Sequence, residues 1–167
     1  MLDNDIAARS AVAPPRPVPW LRSRPWRAAL LGGIGGALTG RGVATIDALG
    51  AAPPLIAPVG ASCVLVFGVP ASPFARPRNV IGGHLGTALM GVVAISLLGP
   101  GPLGIAAGVG LAIAAMMLTD TVHPPAGANP IVVALTHAGW PFLAAPVLLG
   151  AAAIVAIGFV YNRLAVR

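Results

Sequence analysis

Asp120-Thr121-Val122-His123-Pro124-Pro125-Ala126-Gly127-Ala128-Asn129 is a polar, helix-breaking run set between two apolar stretches. Proline interrupts helical hydrogen bonding and pushes the residue before it out of the α region. A helix after this run is therefore expected to start at Pro125 or Ala126, with its first amide groups lacking intrahelical partners. If that start lies at membrane depth, the amides and the positive end of the helix dipole favour an anion. Gly127 would let a ligand approach the backbone closely.

The surroundings decide the class. Of the 167 residues, 57% are hydrophobic and 8% charged, where soluble domains carry roughly 25% charged residues. Six apolar segments follow one another at residues 28–46, 55–69, 80–98, 103–118, 126–138 and 142–160. Four approach the length needed to cross a hydrocarbon core of about 30 Å. The second and fifth reach only about 20 Å as helix, and each follows a proline-rich run, Pro53-Pro54-Leu55-Ile56-Ala57-Pro58 and His123-Pro124-Pro125. The expected fold is an all-α transmembrane helix bundle with two broken or re-entrant short helices. Glycine (22) and proline (18) are abundant, which membrane helices tolerate because small residues permit close packing and neighbours satisfy freed carbonyls.

All ten basic residues are arginine, giving a net charge of +6. They stand at segment ends and in the tail, residues 1–27, a placement suited to topology signals and anionic lipid rather than to nucleic acid. With that tail in the cytoplasm and six crossings, Arg76, Arg78, Arg163 and Arg167 fall inside, and Arg41 alone is misplaced. With re-entrant short segments, four helices cross and Arg76 and Arg78 face outward. Positive-inside asymmetry favours six crossings.

The halves, residues 28–98 and 102–161 of a single domain spanning 28–167, share an order of elements. Pro58-Val59-Gly60-Ala61-Ser62 aligns with Pro125-Ala126-Gly127-Ala128-Asn129 without a gap. This suggests an inverted three-plus-three repeat, in which matching broken helices mark a binding site. The second segment would then start from Pro58 and bring Gly60 and Ser62 opposite the first site. A pair of proline kinks packed against neighbours is the plainer alternative.

Several polar side chains stand out. His123 has several roles open to it: substrate binding, proton relay, pairing with Asp120 three residues earlier, or capping the preceding helix. Asp120 is one of four acids, and ionisable groups in or near membrane segments are functional candidates. A plain loop position serves Asp120 equally well. Arg78 and Asn79 stand at a helix entrance, where Asn79 can cap and Arg78 can mark topology or attract anions. His84 follows Gly82-Gly83 one turn into a membrane helix. A zinc site from His84, His123 and His137 lacks the usual ligand spacing. Cys63 has no partner for a disulfide. No nucleophile–base pair, phosphate loop or carboxylate pair stands out, so neither an enzyme nor a cofactor is expected.

Pro58-Val59-Gly60-Ala61-Ser62, Ser72-Pro73, Pro77-Arg78-Asn79-Val80-Ile81-Gly82-Gly83-His84 and His123-Pro124-Pro125-Ala126-Gly127-Ala128 together resemble the HPP family of integral membrane proteins, over about residues 28–162. Asn129-Pro130 departs from the aliphatic or small residues common there. The resemblance implies a transporter or channel, with nitrite as the substrate it suggests, and a fold usually described with four spans. The expectation is a bacterial inner-membrane protein with a cytoplasmic N-terminus, moving a small anion past Ser62, Gly60, His84, His123, Pro124, Pro125, Gly127 and Asn129. Arg78 and Asn79 would stand at the entrance, and Asp120 would set the protonation of His123. Small-residue faces suggest a homo-oligomer. A structural or regulatory membrane subunit without transport activity is the alternative.

Overall fold

The structure, a computed structural model, describes residues 25–48 and 56–165. Most of the tail assigned to residues 1–27, together with Pro53 and Pro54, lies outside the described residues. Helix α1 runs over Pro25–Ala48. Helix α2, Ile56–Cys63, continues as a π-helical turn, Val64–Gly68, and a short 3₁₀ turn follows at Pro73–Ala75. Helices α3, Pro77–Leu98, and α4, Pro102–Leu118, form the next pair. A 3₁₀ turn, Pro124–Ala128, leads into α5, Asn129–Thr136. A π-helical stretch, Leu143–Leu148, leads into α6, Leu149–Ala165. The described residues contain no strand.

Prolines and glycines set most of these boundaries. Pro77 and Pro102 occupy the first helical positions of α3 and α4, where the missing N–H has no helical partner to lose. Helix α3 ends at Gly99 with φ 77°, the left-handed conformation that glycine adopts freely. Asp120 follows α4 with φ 53° and His137 follows α5 with φ 52°. Within the last apolar segment, Ala145 is extended (φ −136°, ψ 124°) ahead of Pro146, so the helix kinks there.

Helix α3 is the hub. It packs most extensively on α4 and α5 and also touches α6 and both 3₁₀ turns, while α1 lies against α2 and α6. Where α3 crosses α5, a Cβ added at Gly91 would lie 2.8 Å from Pro130 Cα. The departure Asn129-Pro130 is thus seated on a glycine. Val59, Val66, Phe67, Val80, Val92, Val133, Val147 and Ile154 fill the apolar interior, and Phe67 meets Tyr161 edge-on at 5.2 Å.

The distribution of polarity is inverted relative to a soluble bundle. Leu97, Leu118 and Leu135 are 78%, 87% and 73% exposed, whereas Ser62, His84, Thr87, His123 and Asn129 are buried. An outer surface of this kind is unfavourable in water and suits hydrocarbon. Helix α3 and the stretch Leu143–Arg163 are long and apolar enough to cross a bilayer. The 22 residues of α3 span about 33 Å.

Candidate functional site

Three separate elements deliver a fully buried polar centre. Ser62 lies near the end of α2, His84 in the second turn of α3, and His123 just before the 3₁₀ turn that opens with Pro124. Ser62 Oγ is 2.9 Å from His84 Nε2 and 2.8 Å from His123 Nε2. The two imidazole centroids are 5.1 Å apart. Ser62 Oγ is also 2.9 Å from the Pro58 carbonyl oxygen, one helical turn earlier.

Each histidine is oriented by its second nitrogen. His123 Nδ1 donates to the Phe74 carbonyl at 2.8 Å. His84 Nδ1 lies 3.2 Å from the Asn129 side-chain nitrogen. That amide also donates to the His84 carbonyl at 3.0 Å and to Thr87 Oγ1 at 2.9 Å. The Thr87 hydroxyl in turn reaches the Gly83 carbonyl. Asn129 therefore staples the first residue of α5 onto α3, and the Asn129–Thr87 bond joins the two elements beneath the histidines. The centre is closed off among the described residues: His84 is 1% and His123 0% exposed. Passage of any solute requires it to open.

A second polar layer lies toward the start of α3. Arg78 pairs with Asp120 at 3.2 Å and donates to the Thr119 carbonyl at 2.7 Å. Asn79 Nδ2 donates to the Val122 carbonyl at 2.9 Å. Six residues separate Arg78 from His84, about 9 Å along the helix. The buried centre thus lies between this charged rim and the middle of α3, about 5 Å short of the helix midpoint.

The structure gathers Ser62, His84, His123 and Asn129, and it sets Arg78, Asn79 and Asp120 together at the rim. Four expectations need correction. Asp120 does not pair with His123: its left-handed backbone ends the helical register after α4, and its carboxylate meets Arg78 instead. Helix α2 does not start at Pro58 but extends back to Ile56, so Ser62, not a helix tip, is what it presents. The fifth segment does not begin as an α-helix at Pro125 or Ala126. A 3₁₀ turn opens at Pro124, the Ala126 N–H is taken by the His123 carbonyl, and the α-helix starts at Asn129. Finally, Ser62 and His123 do form a hydroxyl–imidazole pair, which their separation of 61 residues conceals.

The remaining residues stand aside. Pro124 is exposed, Pro125 and Gly127 are half-buried, and Gly60 is exposed. A Cβ added at Gly60 or Gly127 would meet nothing within 4 Å, so neither glycine serves a close approach within this conformation. His137 is exposed at the far end of α5. Among the described residues, no group of three His, Cys, Asp or Glu is placed to hold a metal. The backbone at Pro58 was expected at the site and accepts from Ser62, whereas the Phe74 carbonyl and Thr87 were not singled out in the sequence. Main-chain acceptors leave no mark there, and Thr87 shows only its spacing three residues after His84.

An apolar exterior around a buried histidine–serine–histidine centre defines an all-α membrane protein with an internal polar site. The chain belongs to the HPP family: residues 21–167 match the family described as HPP, transmembrane region. Over 119 residues, 66% of this chain, it is 35% identical to a transmembrane protein of Dictyostelium discoideum and covers 42% of it. A second transmembrane protein of the same organism is 31% identical over 119 residues, 38% of its length. The chain spans about two fifths of the length of these curated relatives. No solved structure matches.

Proposed function

We propose that this chain carries a small inorganic anion, nitrite by family resemblance, across a lipid bilayer, with the His84–Ser62–His123 centre on the route. The burial of that centre inside an apolar bundle carries the reading. Polar and ionisable groups at membrane depth are unfavourable and persist where they serve ions, protons or substrates. The described conformation is then the occluded one. Loosening the rim at Arg78, Asn79 and Asp120 opens it to one side, and the chain acts as a carrier or gated channel rather than an enzyme.

The order of elements supports an inverted three-plus-three repeat: a long helix, a short segment with a non-α turn and a long helix, then the same again. Six crossings with the N-terminus in the cytoplasm of a bacterial inner membrane fit every arginine but Arg41. Re-entrant short segments give four crossings. A homo-oligomer would cover the small-residue faces. A structural or regulatory subunit is the alternative.

Purified protein in liposomes tests the transport reading with nitrite, nitrate, formate and chloride, at about pH 5.5 and about pH 7.5 on either side of the ordinary histidine range. Uptake above empty vesicles is expected for at least one anion. H123A is expected to reduce that uptake while membrane yield is retained. No uptake of any anion at either pH overturns the reading in favour of the subunit.

One observation favours a second reading. Ser62 Oγ, His123 Nε2 and the Phe74 carbonyl on Nδ1 reproduce the order of a nucleophile, its base and an orienting acceptor. Covalent labelling of Ser62 by a fluorophosphonate would support this hydrolase-like reading. Absence of labelling alongside anion uptake would reject it.

A further inference from the structure

Hydrogen-bond accounting at the buried centre comes out short of donors. The Phe74 carbonyl only accepts, so neutral His123 carries its proton on Nδ1 and Nε2 is bare. The amide nitrogen of Asn129 cannot accept and shares its two protons among His84 Nδ1, the His84 carbonyl and Thr87 Oγ1, so neutral His84 carries its proton on Nε2 and gives it to Ser62 Oγ. The His84 carbonyl, again only an acceptor, fixes that amide nitrogen on its side. Ser62 has one hydroxyl proton, and two acceptors compete for it: the Pro58 carbonyl at 2.9 Å and bare His123 Nε2 at 2.8 Å. Asn129 Oδ1, in a residue with no exposed surface, has no donor at all. Buried acceptors left without donors are unfavourable.

A bare anion is itself an acceptor and worsens this deficit. A proton on His123 Nε2 relieves the shortage at Ser62. The imidazolium donates to Ser62 Oγ, which then accepts from both histidines and gives its own proton to Pro58. Hydronium from the aqueous phase that supplies the anion gives the proton: its O–H bond breaks, water is left, and an N–H bond forms. An isolated buried imidazolium is in turn unfavourable, and among the described residues the surrounding elements provide no counter-charge. Cys63 on α2 neighbours Gly36 of α1. Arg76, Arg78 and Asp120 are exposed, the last two paired with each other, and His137 is exposed at the far end of α5. His84 touches the site and carries no negative charge. Tyr161 packs on Phe67. The anion is therefore the counter-charge that the proton lacks, and the proton is the donor that the anion lacks.

We infer that the centre loads one proton, on His123 Nε2, with each monovalent anion, making the chain an electroneutral proton–anion symporter. The inference rests on the transport reading above. The test uses proteoliposomes of the full chain containing a pH-sensitive dye, given external nitrite while potassium and valinomycin clamp the membrane potential. Luminal acidification should accompany nitrite uptake, exceed that of empty vesicles and be indifferent to the clamped potential. Nitrite uptake with a flat luminal pH and a rate that follows the potential overturns the coupling while leaving anion transport intact. No uptake above empty vesicles overturns both. H123N retains a nitrogen able to donate to Phe74 but has no second ring nitrogen. It should lose proton-coupled uptake by about tenfold or more, as removal of a proton-transfer group does. Undiminished acidification by H123N overturns the assignment to His123, and the wild-type measurements stand whatever that variant's yield.

Discussion

A Cβ built on Gly83 would lie 2.7 Å from the Cβ of His123 and 3.0 Å from the Thr121 carbonyl oxygen. Glycine in the sequence Gly82-Gly83-His84 is therefore what lets the loop carrying His123 lie flat on α3 and bring its ring to Ser62. G83A should force the loop away from α3, lowering stability by about 1–3 kcal/mol as overpacked sites do. Thermal unfolding in detergent measures this. Gly86 lies on the same helix with nothing within 4 Å of an added Cβ, so G86A should melt at or above the wild-type temperature. Equal melting of G83A and wild type would contradict the contact.

Ser62 joins the two histidines. S62A leaves His84 Nε2 and His123 Nε2 buried and unpaired, at a cost of about 1–3 kcal/mol for each orphaned group. Melting temperature and anion uptake should both fall. A variant that melts like wild type would show that the two rings do not depend on that oxygen.

At the rim, two neighbouring contacts should behave differently. The Arg78–Asp120 pair is 64% and 88% exposed at its side chains, and exposed ion pairs contribute under about 1 kcal/mol. Since Asp120 does not touch His123, D120N should leave both the melting temperature and the pH profile of uptake close to wild type. A pH profile displaced by D120N would restore a link between the two residues.

Asn79 is buried and ties α3 to the Val122 carbonyl beside His123. N79A leaves that carbonyl without its partner and should cost about 1 kcal/mol, the usual net worth of such a bond. A thermal melt compared directly with D120N makes the contrast visible. A larger loss in D120N than in N79A would contradict the relative burial of the two contacts.

The helices were legible because their ends are written in proline and glycine. The apolar run at residues 80–98 became Pro77–Leu98, and the run at 103–118 became Pro102–Leu118. The short fifth segment was legible as a broken element, but its 3₁₀ start was not, because Pro124, Pro125 and Pro130 admit more than one helical register. Ser62, His84, His123 and Asn129 could each be picked out as polar residues in apolar surroundings. Their mutual contacts could not, since Ser62 and His123 are 61 residues apart and the acceptor for His123 is a main-chain carbonyl 49 residues away. Sequence proximity also suggested the wrong partner for Asp120, whose backbone turn sends it to Arg78, 42 residues away.

The chain holds three histidines, which makes nitrogen-15 spectroscopy of histidine-labelled protein the most direct test of an anion acting at the buried centre. H84N and H123N assign the signals. Addition of nitrite near neutral pH should move His123 Nε2 from an unprotonated to a protonated ring-nitrogen shift, perturb His84 through Ser62 and leave exposed His137 unchanged. Nitrite that leaves the His84 and His123 signals where they were, in protein shown to transport it, would place the anion's path elsewhere.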